Sequence, residues 1–225
     1  MTNQSTEYLQ PPWHLHGHGL IVLAIPRIAD ISARWQETCS LHFRLIGRTI
    51  AGFYIGSYST PLAEHEILPW SEWGNVLGYA KTKGKSGLFI SAMATDSQAA
   101  YTAGREVWGL NKIMGDIRFE ADENEGHAEL RTETDHVRLE WRTLGPEFPF
   151  SRPIWFLTVI GGKMHKYSVR IPSKNRFCRI RLREQEGADF NSVSTGNYWG
   201  LRFYDARIEV NSPAAVHPEN PATAR

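Results

Sequence analysis

The feature that most constrains this chain is alternation at a period of two. In His136 to Thr143, the apolar residues Val137, Leu139 and Trp141 take turns with His136, Arg138, Glu140 and Arg142. Successive side chains of a strand point to opposite faces, so such a run buries one face and solvates the other, as an antiparallel strand does. Thr49 to Ser59 sets Ile50, Gly52, Tyr54, Gly56 and Tyr58 against Ala51, Phe53, Ile55 and Ser57. Glycines on one face of a strand mark a bend or a close approach by another group. Further strands are expected over 13–25, 42–48, 88–94, 116–120, 127–132, 154–160, 166–171, 177–183 and 201–210, with Gly161-Gly162 as a hairpin turn. Short helices are expected over 28–38 and 98–106. This pattern predicts an α+β, mostly antiparallel β chain: a large sheet system or barrel with a few short helices at its margin.

Residues 1–10 read as a flexible polar lead, 11–210 as a single domain, and the Pro/Ala/Asn-rich stretch 211–225 as a disordered tail. The charge balance excludes some partners. Twenty-five Lys and Arg against 24 Asp and Glu leave +1, which makes no electrostatic case for nucleic acid or an anionic membrane. The longest apolar run, Leu20 to Pro26, is too short to span a bilayer. The first residues show no signal-peptide pattern, and Cys39 and Cys178 match no ligand spacing, so a cytoplasmic protein with reduced thiols is expected. The loop 81–87 is basic and glycine-containing but lacks phosphate-loop spacing and precedes a strand, so it reads as a solvated turn. His14, His16 and His18 share one strand face; three histidines from one short strand fit a tetrahedral site poorly, and no metal is assigned to them.

The chemistry-bearing stretch is Asp96 to Met114. Asp96 or Ser97 can cap a helix over 98–106, and Gly109 ends it. The segment then delivers Lys112 between Leu110 and the pair Ile113-Met114. Desolvation disfavours an ammonium, so a lysine among apolar residues can supply a neutral, nucleophilic amine near pH 7. The competing reading places Lys112 on the surface, its stem along apolar neighbours.

The run Ser97-x-x-Ala100-Tyr101-x-Ala103-Gly104-Arg105-Glu106-Val107-Trp108-Gly109-Leu110-x-Lys112 resembles the hallmark of the acetoacetate decarboxylase superfamily. Two further pieces stand in the same order. Pro12 to Gly19 is similar to the family's entry strand, and Gly52 to Tyr58, followed by His65-Glu66-Ile67-Leu68, is similar to its central and acidic strands. The resemblance covers about residues 12–115. It implies a closed β-barrel around an apolar cavity, and a lyase in which the lysine forms an imine with a keto substrate. On that reading Lys112 is the Schiff-base lysine and Glu66 the glutamate that orients it or handles protons. Arg105, Tyr54, His18, Trp108 and Glu106 contact substrate or shape its pocket, and no cofactor is needed.

The partner implied is a small keto compound, and self-association is allowed for. The chain departs from the family pattern in three places. Asn111-Lys112-Ile113 replaces Pro-Lys-Lys, His18 stands nearest the position of a carboxylate-binding arginine, and Tyr54 replaces a second glutamate. These changes point away from acetoacetate and toward a larger or less charged carbonyl compound, with decarboxylation, aldol chemistry or dehydration all open. Two alternatives stand beside this reading. One is acid/base isomerisation or cyclisation by Glu66; the other is a non-catalytic barrel that binds an apolar molecule.

Overall fold

The computed structural model describes residues 11–25, 50–59, 69–82, 85–161 and 163–215. The expected helix at 28–38, the expected strand at 42–48 and Glu66 lie outside these residues. Four strands come first: β1 (Trp13–Ala24), β2 (Ala51–Ser59), β3 (Trp70–Thr82) and β4 (Lys85–Thr95). A helix, α1 (Gln98–Glu106), and a short strand, β5 (Lys112–Met114), follow. Then come β6 (Asp116–Ala121), β7 (Glu125–Arg131), β8 (His136–Phe150), β9 (Pro153–Ile160), β10 (Lys163–Arg170), β11 (Ser173–Glu186), β12 (Gly196–Val210) and β13 (Ala214–Ala215).

Seven strands close on themselves in the order β10-β9-β4-β3-β2-β1-β12, because β10 also pairs with β12 at Val169↔Val210 and Arg170↔Glu209. Neighbours in this barrel are antiparallel except β4 and β9, which run parallel. From β12 the sheet continues outward through β11, β8, β7 and β6. This extension curls back over the outside of the barrel wall.

Strand parity therefore builds two cores. On β1, Leu20 and Val22 point outward with Phe53 and Ile55 of β2 and Trp73 of β3; they pack against Leu130, Leu139, Trp141 and Ile180 of the outer sheet. The opposite face carries Trp13 and Leu15 of β1, Tyr58 of β2 and Val76 of β3; it looks into the barrel with Ile90, Met93, Phe156 and Tyr167. Burial of each large apolar side chain contributes roughly 1.5–3 kcal/mol, so both layers stabilise the same wall from its two sides.

The expected turn at Gly161 holds: it has φ +56° between β9 and β10, where Ile160 pairs with Lys163. Three expectations differ. The stretch 81–87, read as a solvated turn, is for the most part paired strand, with Lys81↔Ser86 and Thr82↔Lys85 in the β3–β4 hairpin. β3 was not anticipated as a strand, because Ser71, Gly74, Asn75 and Gly78 are weak strand formers and give no β signal. Asn211 to Ala215, expected in the tail, are ordered: the Asn211 amide donates to Ser168 Oγ at 2.9 Å, and Ala214–Ala215 pair with β10. No helix among the described residues is long and apolar enough to cross a membrane.

Candidate active site

The site is built around α1 and the strand that follows it. Ser97 caps the helix, its Oγ accepting from Ala100 N at 3.3 Å. Ala100, Ala103 and Gly104 form the buried stripe of α1. The chain then turns through Gly109, whose φ of +61° suits glycine and whose Cα lies too close to Val159 O for a side chain. Thr158 Oγ1 donates to Trp108 O at 2.7 Å and fixes this turn to β9. Asn111 Nδ2 donates to Ser91 O at 3.2 Å, and Asn111 O accepts from Met93 N at 2.9 Å, so β5 is laid parallel to β4.

That register brings Lys112 inside the barrel wall, in a row that runs Tyr54, Gly74, Met93, Lys112 across β2, β3, β4 and β5. Lys112 is 3% exposed. Its Nζ donates to Ala100 O at 2.9 Å and is ion-paired with Glu72 Oε1 of β3. Gly104 leaves room for the amine: a Cβ there would stand 2.9 Å from Nζ. Ile113, the next residue, points the other way and packs against the outer core.

Lys112 and Glu72 line a cavity of about 110 Å³. Among the described residues its walls are otherwise apolar or phenolic, including Trp13, Val76, Met93 and Trp108, with Tyr54, Tyr58 and Tyr167. Burial pushes the Tyr54 hydroxyl well above the usual phenol range, and the Glu72 charge adds to this; the same two causes raise Tyr167. Both phenols therefore remain protonated donors through the neutral range. Asp96 is also raised, chiefly by burial, while its Oδ1 accepts from Ser71 N at 2.7 Å and ties the start of α1 to β3.

The expected site residues divide. Lys112, Tyr54 and Trp108 come together at the cavity, Trp108 with its Nε1 donating to Asn211 O at 3.2 Å. Arg105 and Glu106 do not: both are exposed, and Arg105 bonds the Tyr101 hydroxyl on the outside of α1. A helix turns by about 100° per residue, so when Gly104 faces Lys112 the next two positions swing to solvent. His18 belongs to the outer face of β1, tilted against Phe119 with ring centroids 5.4 Å apart. Tyr58 lines the cavity too, on the glycine-bearing face of β2 that it shares with Tyr54, and Glu72 and Tyr167 are cavity residues that were not assigned there from the sequence. The signal for Glu72 is its place in Trp70-x-Glu72-x-Gly74-x-Val76, an acid on the apolar face of an alternating run.

Comparison with curated proteins finds no match. The solved structures do match. One from structural studies of acetoacetate decarboxylase superimposes with TM-score 0.62 at 13% identity, covering 96% of this chain and 95% of that one. The enduracididine biosynthesis enzyme MppR, complexed with the condensation product of pyruvate and imidazole 4-carboxaldehyde, gives TM-score 0.61 at 12% identity over 97% and 94%. An acetoacetate decarboxylase-like enzyme from Sphingomonas wittichii RW1 gives 0.61 at 11% identity over 96% and 97%. At these identities the likeness establishes the fold. The sequence profile of acetoacetate decarboxylase (ADC) matches residues 14–147, more than half of the chain. With the barrel, the buried lysine and this match in hand, the chain belongs to the acetoacetate decarboxylase family.

Proposed function

We propose that this protein is a lyase acting on a keto compound through an imine on Lys112, with Glu72 as its proton carrier. The observation that carries the reading is the buried contact of Lys112 Nζ with Glu72 in a cavity whose other described lining residues are uncharged. Two opposite charges in a low-dielectric site pass to a neutral pair by a single proton transfer, which converts the ammonium to a nucleophilic amine. The amine adds to the carbonyl carbon. Glu72 returns the proton to the departing hydroxyl, water leaves, and a protonated imine remains. That cation draws electrons from a bond at the adjacent carbon; the resulting enamine is protonated and hydrolysed, freeing Lys112. Family membership supports this chemistry, and the condensation product held by MppR supports keto-compound chemistry on the same fold.

Borohydride trapping with small ketones, followed by peptide mass spectrometry, tests the proposal. The expected result is an adduct on Lys112 that is lost in Lys112→Ala and slowed about a hundredfold in Glu72→Gln. Full turnover in Lys112→Arg, with loss in Glu72→Gln, would move the chemistry to the carboxylate alone and overturn the imine.

A further inference from the structure

Tyr54, Tyr58 and Tyr167 line the cavity, yet none of their hydroxyls makes a hydrogen bond with the protein among the described residues. Buried polar groups are nearly always satisfied, and buried tyrosines nearly always find a partner for the hydroxyl. Here three open onto a single space and take no partner from the described residues, so the occupant of that space has to serve them. Their rings are fixed: Tyr54 stacks on Phe203, Tyr167 stacks on Phe156, and Tyr58 leans on Trp70. Two of the hydroxyls converge. A Cβ on Gly56 would stand 2.3 Å from the Tyr58 oxygen and 2.9 Å from the Tyr54 oxygen. Gly56 is the register partner of Glu72, so these phenols gather beside the carboxylate that holds Lys112.

We propose that the substrate is an uncharged β-hydroxy ketone, its carbonyl meeting Lys112 and its hydroxyl meeting the phenols. The proposal rests on the imine reading above and names the substrate class for it. Charge argues the first half. The cavity holds one cation among its described lining residues, Lys112, and that cation is already paired with Glu72. Among the described residues a substrate carboxylate would meet no free cation, and a buried unpaired charge is costly. The three unpartnered donors argue the second half, since they suit neutral oxygen and are wasted on a plain alkyl ketone. Size sets an upper limit. An apolar cavity of about 150 Å³ takes benzene, so the roughly 110 Å³ here suits a compound of about four to six heavy atoms, with 4-hydroxybutan-2-one at the top of that range. Without a carboxylate there is no carbon dioxide to lose. The bond at stake is then the one between the α- and β-carbons: the β-hydroxyl gives its proton to Glu72, the bond pair passes to the imine as an enamine, and the β-carbon leaves as an aldehyde.

Three probes of nearly equal size separate the possibilities by borohydride trapping on Lys112: 4-hydroxybutan-2-one, pentan-2-one and acetoacetate. The hydroxy ketone is expected to half-saturate trapping at a concentration about tenfold below either of the others. Tyr54→Phe and Tyr167→Phe should each erase much of that advantage, read as the ratio of the half-saturating concentrations of the hydroxy ketone and pentan-2-one in the same variant, and melting curves show that the variants fold. Acetoacetate trapping at the same or lower concentration overturns the substrate class and leaves the imine standing. So does an undiminished preference in both phenylalanine variants. If no probe traps, the imine reading falls and takes this proposal with it.

Discussion

A Cβ on Gly104 would stand 2.5 Å from Cδ and 2.9 Å from Nζ of Lys112. The helix interior offers no other reason for glycine, which costs about 0.5–1 kcal/mol there relative to alanine. Gly104→Ala should therefore leave the melting temperature within a few degrees of wild type, or raise it, while slowing Lys112 trapping about a hundredfold, because a displacement of about an ångström suffices for that. Calorimetry and trapping on the same sample check it; unchanged trapping would mean that the lysine has slack to spare. Lys112 was legible in the sequence because its neighbours are apolar and its motif is long. Its acidic partner was not. The family resemblance gives Glu66 that role, and Glu66 lies outside the described residues, whereas Glu72 lies in a strand whose glycines and asparagine conceal it. Arg105 and Glu106 follow Gly104 directly in the chain, but on a helix adjacent positions look in different directions.

At the scale of elements, α1 and β1 each have a separable role. The Ser97 cap holds the first turn of α1, and the same turn supplies Ala100 O to Lys112. Ser97→Ala should cost about 1 kcal/mol in denaturant unfolding. It should also weaken trapping more, per kcal/mol of measured stability lost, than Thr102→Gly, which changes α1 without touching Ala100 O or Lys112. In β1, register with β12 shifts between Gly17 and Gly19, and His18 lies on the outer face at this irregularity. Burial, and then the Arg202 guanidinium, hold the His18 imidazole below its ordinary value of 6.5. The unfolded chain then binds this proton more readily than the folded one. Stability should fall as pH drops through 6.5 toward the lower folded value, and be fully regained above 6.5. Melting curves from pH 8 to 5 should show a smaller loss for His18→Gln than for wild type; parallel curves would remove His18 as a contributor. The alternation that opened the reading identifies most strands, since a period of two survives modest glycine content. It does not say which face of β1 meets the cavity, because both faces carry apolar residues, Trp13, Leu15 and Ile21 on one and Leu20 and Val22 on the other; the alternation of β1 itself is unbroken, the extra residue at the irregularity lying in β12.

On the scale of the whole molecule, the barrel and the outer sheet share one wall, and this decides how the protein should unfold. Barrel closure depends on β10 reaching β12, a long-range pairing that no local pattern announces. The outer sheet, by contrast, has no inner face of its own. Leu130, Leu139 and Trp141 are buried only because Leu20, Phe53 and Trp73 stand opposite them on the barrel strands. Neither layer can open without exposing apolar surface of the other, so a single cooperative transition is expected. Leu139 is fully buried, and Leu139→Ala should cost about 2–5 kcal/mol through lost burial and the cavity left behind. Far from the amine, on the other side of the wall, it should leave Lys112 trapping at low temperature unchanged. The aromatic residues give each layer its own reporter, with Trp141 in the outer core and Trp13 and Trp108 packed edge to face in the inner one at a centroid distance of 4.5 Å. Urea unfolding of Leu139→Ala, followed by near-ultraviolet dichroism in Trp141→Phe and Trp108→Phe backgrounds, should give coincident midpoints shifted together. If the Trp141 signal melts first while Trp108 and the trapped lysine persist, the outer sheet is a unit laid on a barrel that stands without it, and the shared wall is a contact surface instead of a common core.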